Sequence, residues 1–97
     1  MEKRTNKYKL TLEEISLAKD SDAKNDPIML EFDNHDNLFN IIKAVKSKAI
    51  FDNENEAAEF AIGLKMFTEV MLKNRSNDLF KEVQPAIGEF MKKLKNT

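Results

Sequence analysis

"AIGLKMFTEVML" (residues 61–72) holds only three polar side chains, Lys65, Thr68 and Glu69. At about 100° per residue, Ala57, Phe60, Gly63, Leu64, Phe67, Val70 and Met71 gather on one broad arc of a helix. Glu59, Lys65, Glu69 and Lys73 mark the opposite side. A helix this apolar belongs at the centre of a small fold, with neighbours on more than one flank. Gly63 costs a helix roughly 1 kcal/mol against alanine, and it marks either close approach by another element or a glycine that is simply tolerated. Ile62 and Met66 lie one turn apart within the charged side. They are the candidate interface residues, a ridge suited to a second copy or another protein.

Working outward, Asn53 precedes this helix and Glu56 follows three residues later, which approximates a capping box. The helix therefore spans about residues 54–74. An earlier helix is expected over about 35–48. Its start falls within "DNHDN", where Asn34 or Asp36 can cap it. Leu38, Ile41, Ile42, Val45 and Ala49 form its single apolar stripe. A third helical segment covers about 77–95, with Leu79, Val83, Ile87, Phe90 and Leu94 at spacings of three and four. Pro85 interrupts its backbone bonding without interrupting that stripe, so a kink or two nearly collinear pieces are expected.

Before the helices, "YKLTLEEI" and "PIMLEFD" alternate with a period of two. Tyr8, Leu10 and Leu12 share one face of the first strand (about 6–14). Ile28, Leu30 and Phe32 share one face of the second (about 27–33). The polar run "SLAKDSDAKND" between them reads as a loop. The expected architecture is α+β in the order ββααα: an antiparallel hairpin laid on three helical segments, in one domain of 97 residues. A bare two-stranded sheet is marginal in water. Its open edges make pairing with a second subunit a further expectation.

Charge is unevenly spread. Residues 1–12 carry four basic and one acidic side chain, residues 13–59 five basic and twelve acidic, and residues 60–97 seven basic and four acidic. Complementary segments of this kind face one another within a fold or across a homodimer. The chain has no cysteine, which excludes disulfides and thiolate chemistry. Basic residues at the N-terminus have no apolar run behind them, so no signal peptide or membrane span is read and a cytoplasmic setting is expected.

No stretch carries a catalytic signature. His35 sits between Asp33 and Asp36, but no serine or cysteine is placed as a nucleophile, and the segment reads as a polar turn. "DNHDN", "DNENE" and "DSDAKND" lack the ligand pattern of a calcium loop. The two glycines, Gly63 and Gly88, both fall in helical patterns and cannot cradle a phosphate. Neither an enzyme, a cofactor nor a metal site is expected. Lys73, Arg75, Lys92, Lys93 and Lys95 are the candidate anion contacts, should the ends of the last two helices meet. Five dispersed cations without interleaved aromatic residues make nucleic acid the weaker alternative to a protein partner or homo-oligomer.

"GLKMFTEVMLKNRSNDLF" and "FMKKLK", together with "YKLTLE" and "PIMLEFDNHDNLF", resemble a family of small bacterial proteins, domain of unknown function 3861. The matching positions include Gly63, Leu64, Lys65, Phe67, Glu69, Val70, Met71, Leu72, Lys73, Asn74, Arg75, Leu79 and Phe80. The resemblance implies a bacterial, cytoplasmic protein and brings no activity or ligand with it. The residues themselves, with no catalytic signature and with apolar surface to cover, lead to a non-enzymatic interaction or structural module that associates with itself.

Overall fold

The computed structural model describes residues 5–19 and 24–97. Residues 20–23, in the middle of the expected loop, lie outside the described residues. The chain divides into two compact units, Met1–Asp36 and Asn37–Thr97.

The first unit is the hairpin. Strands β1 (Asn6–Leu12) and β2 (Ile28–Asn34) pair antiparallel. The register sets Tyr8 opposite Phe32, Leu10 opposite Leu30 and Leu12 opposite Ile28, so the two alternating patterns merge into one apolar face. Lys9 opposite Glu31 and Lys7 opposite Asp33 place complementary charges on the other face. Pro27 precedes β2 and withholds no ladder bond within it. The rings of Tyr8 and Phe32 are 5.6 Å apart, and the Tyr8 hydroxyl donates to the Asp36 carbonyl at 3.1 Å. Across the long connection, the Glu14 carboxylate accepts from both the backbone and the side-chain N–H of Asn25, at 3.0 and 2.8 Å. That pair ties the two sides of the connection together just beyond the strands.

The second unit contains four helices: α1 (Leu38–Ser47), α2 (Glu54–Lys73), α3 (Asp78–Lys81) and α4 (Val83–Lys95). Three of them begin on asparagines. Asn37 accepts from the N–H groups of Phe39 and Asn40, Asn53 from those of Asn55 and Glu56, and Asn77 from that of Leu79. The expected cap of α1 is thus corrected from Asn34 or Asp36 to Asn37. The Asn34 side chain instead accepts from the Asp36 N–H at 3.0 Å and closes the turn before the helix. The last helical segment divides into α3 and α4 at Glu82. Pro85 has no N–H to return to the carbonyl of Lys81 one turn back, and it occupies the first turn of α4, where that loss is least costly.

α2 is central within this unit. Val45 of α1 packs against Ala57 and Ala61, with Ile41, Ile42, Phe51 and Phe60 around them. On another flank, Phe60 meets Phe90 at 6.1 Å and Phe67 meets Phe80 at 6.3 Å, so α4 runs back along α2. The buried seam is nevertheless rotated from the expected arc. It comprises Ala57, Ala61, Thr68, Glu69 and Met71, whereas Phe67 and Val70 are exposed. Two alanines one turn apart let α1 approach closely, and the bulkier Phe60 is pushed to the flank. Thr68 is accommodated because its hydroxyl donates to the Lys65 carbonyl at 3.3 Å. Of the two readings of Gly63, close approach is overturned: a methyl group there would meet nothing within 4 Å.

Candidate interaction surfaces

The candidate residues of α2 occupy a middle ground. Ile62 and Met66 are both half-buried, and the ridge they form is neither covered nor fully open. His35 is exposed in a turn held by backbone and asparagine contacts, with the Asn6 amide donating to its carbonyl at 3.5 Å. Among the described residues no group of three or more histidine, cysteine or acidic side chains is placed to hold a metal ion. Among the described residues no helix is long and apolar enough to cross a membrane.

The five basic candidates fall into two groups. Lys73 ends α2, and the carbonyl of Arg75 accepts from the Gln84 side chain at 3.3 Å, near the start of α4. Lys92, Lys93 and Lys95 stand at the other end of α4. From Gln84 to Lys93 the helix rises about 14 Å at 1.5 Å per residue. The structure therefore keeps these cations apart instead of converging them on one anion. Lys92 is also engaged locally, with its amine 3.7 Å from the Glu89 carboxylate. Lys48 joins the second group. Its amine donates to the carbonyls of Lys95 and Thr97 at 3.5 and 3.2 Å, so a cation sits on the negative end of α4.

The described residues line several grooves. One of about 290 Å³ lies between α2 and α4, along Met71, Leu72, Ile87 and Met91. Two others, one in each unit, combine an apolar floor with a charged rim. In Met1–Asp36 a groove of about 570 Å³ lies beyond the strand ends, walled by Leu12, Ile15, Leu17 and Ile28. Its other lining includes Glu13, Glu14 and Asp26, and no basic residue. Ile15 is 90% exposed and Leu12 65%. In Asn37–Thr97 a groove of about 330 Å³ is lined by Ile50, Phe51, Phe60, Phe90 and Leu94, with Lys93 and Thr97 at its margin. The rings of Phe51 and Phe60 lie 5.2 Å apart along its floor, tilted by 52° to one another.

The hairpin groove escapes a reading based on periodicity. Ile15 ends the segment read as an alternating strand but falls off its apolar face, and Leu17 falls in the run read as a loop. Their signal is the persistence of large apolar residues after the alternation has ended. The aromatic groove is assembled from three segments far apart in sequence. Its Phe60 belongs to one legible stripe and its Phe90 and Leu94 to another, while Ile50 and Phe51 belong to none.

Comparison with known proteins places this arrangement. The fold is similar to the crystal structure of a protein of unknown function from Pectobacterium atrosepticum. The two share 32% sequence identity with a TM-score of 0.82, over 96% of this chain and 99% of that one. No relative emerges among curated proteins. Residues 6–96 match a family that spans both the hairpin and the helices. The chain belongs to that family, the Domain of Unknown Function DUF3861, for which a structure has been solved.

Proposed function

We propose that this protein is a non-enzymatic interaction or structural module of the cytoplasm, and that it associates with copies of itself. The observation that supports this is the imbalance between covered and uncovered apolar side chains. Among the described residues, the buried apolar ones are Leu38, Val45, Ala57, Ala61 and Met71, and two of the five are alanines. Thirteen large apolar side chains are exposed, among them Leu12, Ile15, Met29, Phe39 and Leu79. Single exposed leucines are ordinary, but contiguous groups such as Leu12, Ile15, Leu17 and Ile28 mark surfaces that another molecule covers.

Sedimentation velocity over a wide concentration range tests the reading. A sedimentation coefficient that rises with concentration is expected. A protein that stays monomeric throughout, and leaves these side chains wet, refutes self-association. Ile62→Glu and Met66→Glu examine the α2 ridge separately: loss of association in both variants places the contact there, and unchanged association moves it elsewhere.

A further inference from the structure

The two grooves carry opposite charges at their rims. Around the hairpin groove the ionisable lining residues are all acidic, Glu13, Glu14 and Asp26. At the aromatic groove the ionisable lining residue is Lys93. The Lys48 amine donates to the carbonyl of Thr97, another lining residue, and adds a second positive charge there. Each groove offers an apolar floor to match the other's, and Ile15 stands clear of the chain with nearly its whole side chain in water. Opposite rims around apolar centres are the arrangement that steers two surfaces together and fixes their register.

From this complementarity we infer that the acidic hairpin groove of one copy docks onto the basic aromatic groove of a second copy, with Ile15 as the inserted side chain. The inference rests on the self-association proposed above and names its contact surface. Every chain carries both grooves, so each copy has one such contact to give and one to receive. Glu14 is committed to Asn25 and shapes the groove. Glu13 and Asp26 are left as the acidic groups that face the partner.

Charge reversal on both sides tests this. One variant carries Glu13→Lys and Asp26→Lys, the other Lys93→Glu, and all three side chains are exposed. In either variant alone, like charges meet at both contacts. Dimerisation is expected to weaken at least about tenfold, equivalent to about 1.4 kcal/mol. Mixed in equal amounts, the two variants restore attraction at both contacts, and a heterodimer is expected by sedimentation velocity. Ile15→Asp, at a site that folding does not bury, is expected to weaken the dimer about tenfold or more. A mixture that associates no better than its components, with both retaining the wild-type helical circular dichroism, overturns the inference. So does an Ile15→Asp protein that dimerises like wild type, and this variant decides alone if a charge variant misfolds. If the wild type is itself monomeric, self-association and its docking mode fall together. If it dimerises and all these variants dimerise equally well, the docking mode alone falls.

Discussion

In the hairpin unit, side chains on the apolar face grow wetter along the ladder. Tyr8 and Phe32 are half-buried beside the turn at residues 34–36, whereas Leu12 and Ile28 at the far end are mostly exposed. The helical unit behaves differently. Ala57 and Ala61 are sealed under Val45, and larger residues flank that contact. A hairpin has one apolar face and must find cover outside its own two strands. Helices can seal one another where small residues permit contact. The difference separates apolar residues that fold the chain from those still available to a partner.

The largest expected effect breaks or upholds that separation directly. Ala61 is 1% exposed, so Ala61→Glu forces a long charged side chain into the α1–α2 contact. A loss of about 3 kcal/mol or more is expected, read by urea denaturation of the helical signal. Leu12→Thr, which keeps a strand-forming residue at an exposed position, is expected to cost under about 1 kcal/mol at the lowest workable concentration. Comparable losses in the two variants would mean that the hairpin end is covered in the folded monomer, and the contrast between the units would fail.

The same contrast governs what was legible in the sequence. Strand alternation gave the apolar face of each strand, because a period of two assigns every side chain to one side or the other. The start of α2 was readable at Asn53, where capping chemistry is local, and that of α3 only to within Ser76 or Asn77. They slipped at α1 because "DNHDN" offers several competent caps within five residues, and only the conformation at Asn37 selects among them. The burial of Glu69, 8% exposed, was not legible. Hydropathy assigns a carboxylate to water, while burial on a helix with several neighbours is decided by where those neighbours lie. The two grooves were illegible for a related reason: each is made by residues that no single period connects. The division of the basic candidates follows from the antiparallel return of α4, which a linear reading does not fix.

A smaller effect sharpens the local side of the comparison. Asn53 accepts from Asn55 and Glu56 at 2.6 and 3.3 Å and so satisfies two N–H groups at the head of α2. Asn53→Ala is expected to cost about 1 kcal/mol. The loss should appear in thermal unfolding of the helices. If the hairpin is a separate unit, hydrogen exchange along β1 and β2 should change less than exchange in α2. Equal changes would instead show that the two units unfold together.

The smallest effect comes from exchanging two residues whose backbone settings are mismatched to their chemistry. Ala49, just past the end of α1, has φ of 54°, in the left-handed region where a helix commonly ends on glycine. Its side chain pays about 1 kcal/mol or more for that conformation. Ala49→Gly relieves the strain, but the unfolded chain gains freedom that offsets much of the benefit. The expected net gain is about 0.5 kcal/mol. Gly63 presents the opposite mismatch. It lies inside α2 with open space where a methyl group would stand, so Gly63→Ala should gain about 0.5–1 kcal/mol. The sites lie on different elements, and the double variant should add the two gains to within a few tenths of a kcal/mol, read as a rise in the midpoint of urea unfolding. A Gly63→Ala protein that is stabilised as a monomer but dimerises less well would place the uncovered side of α2 in the contact and draw the interface away from the two grooves.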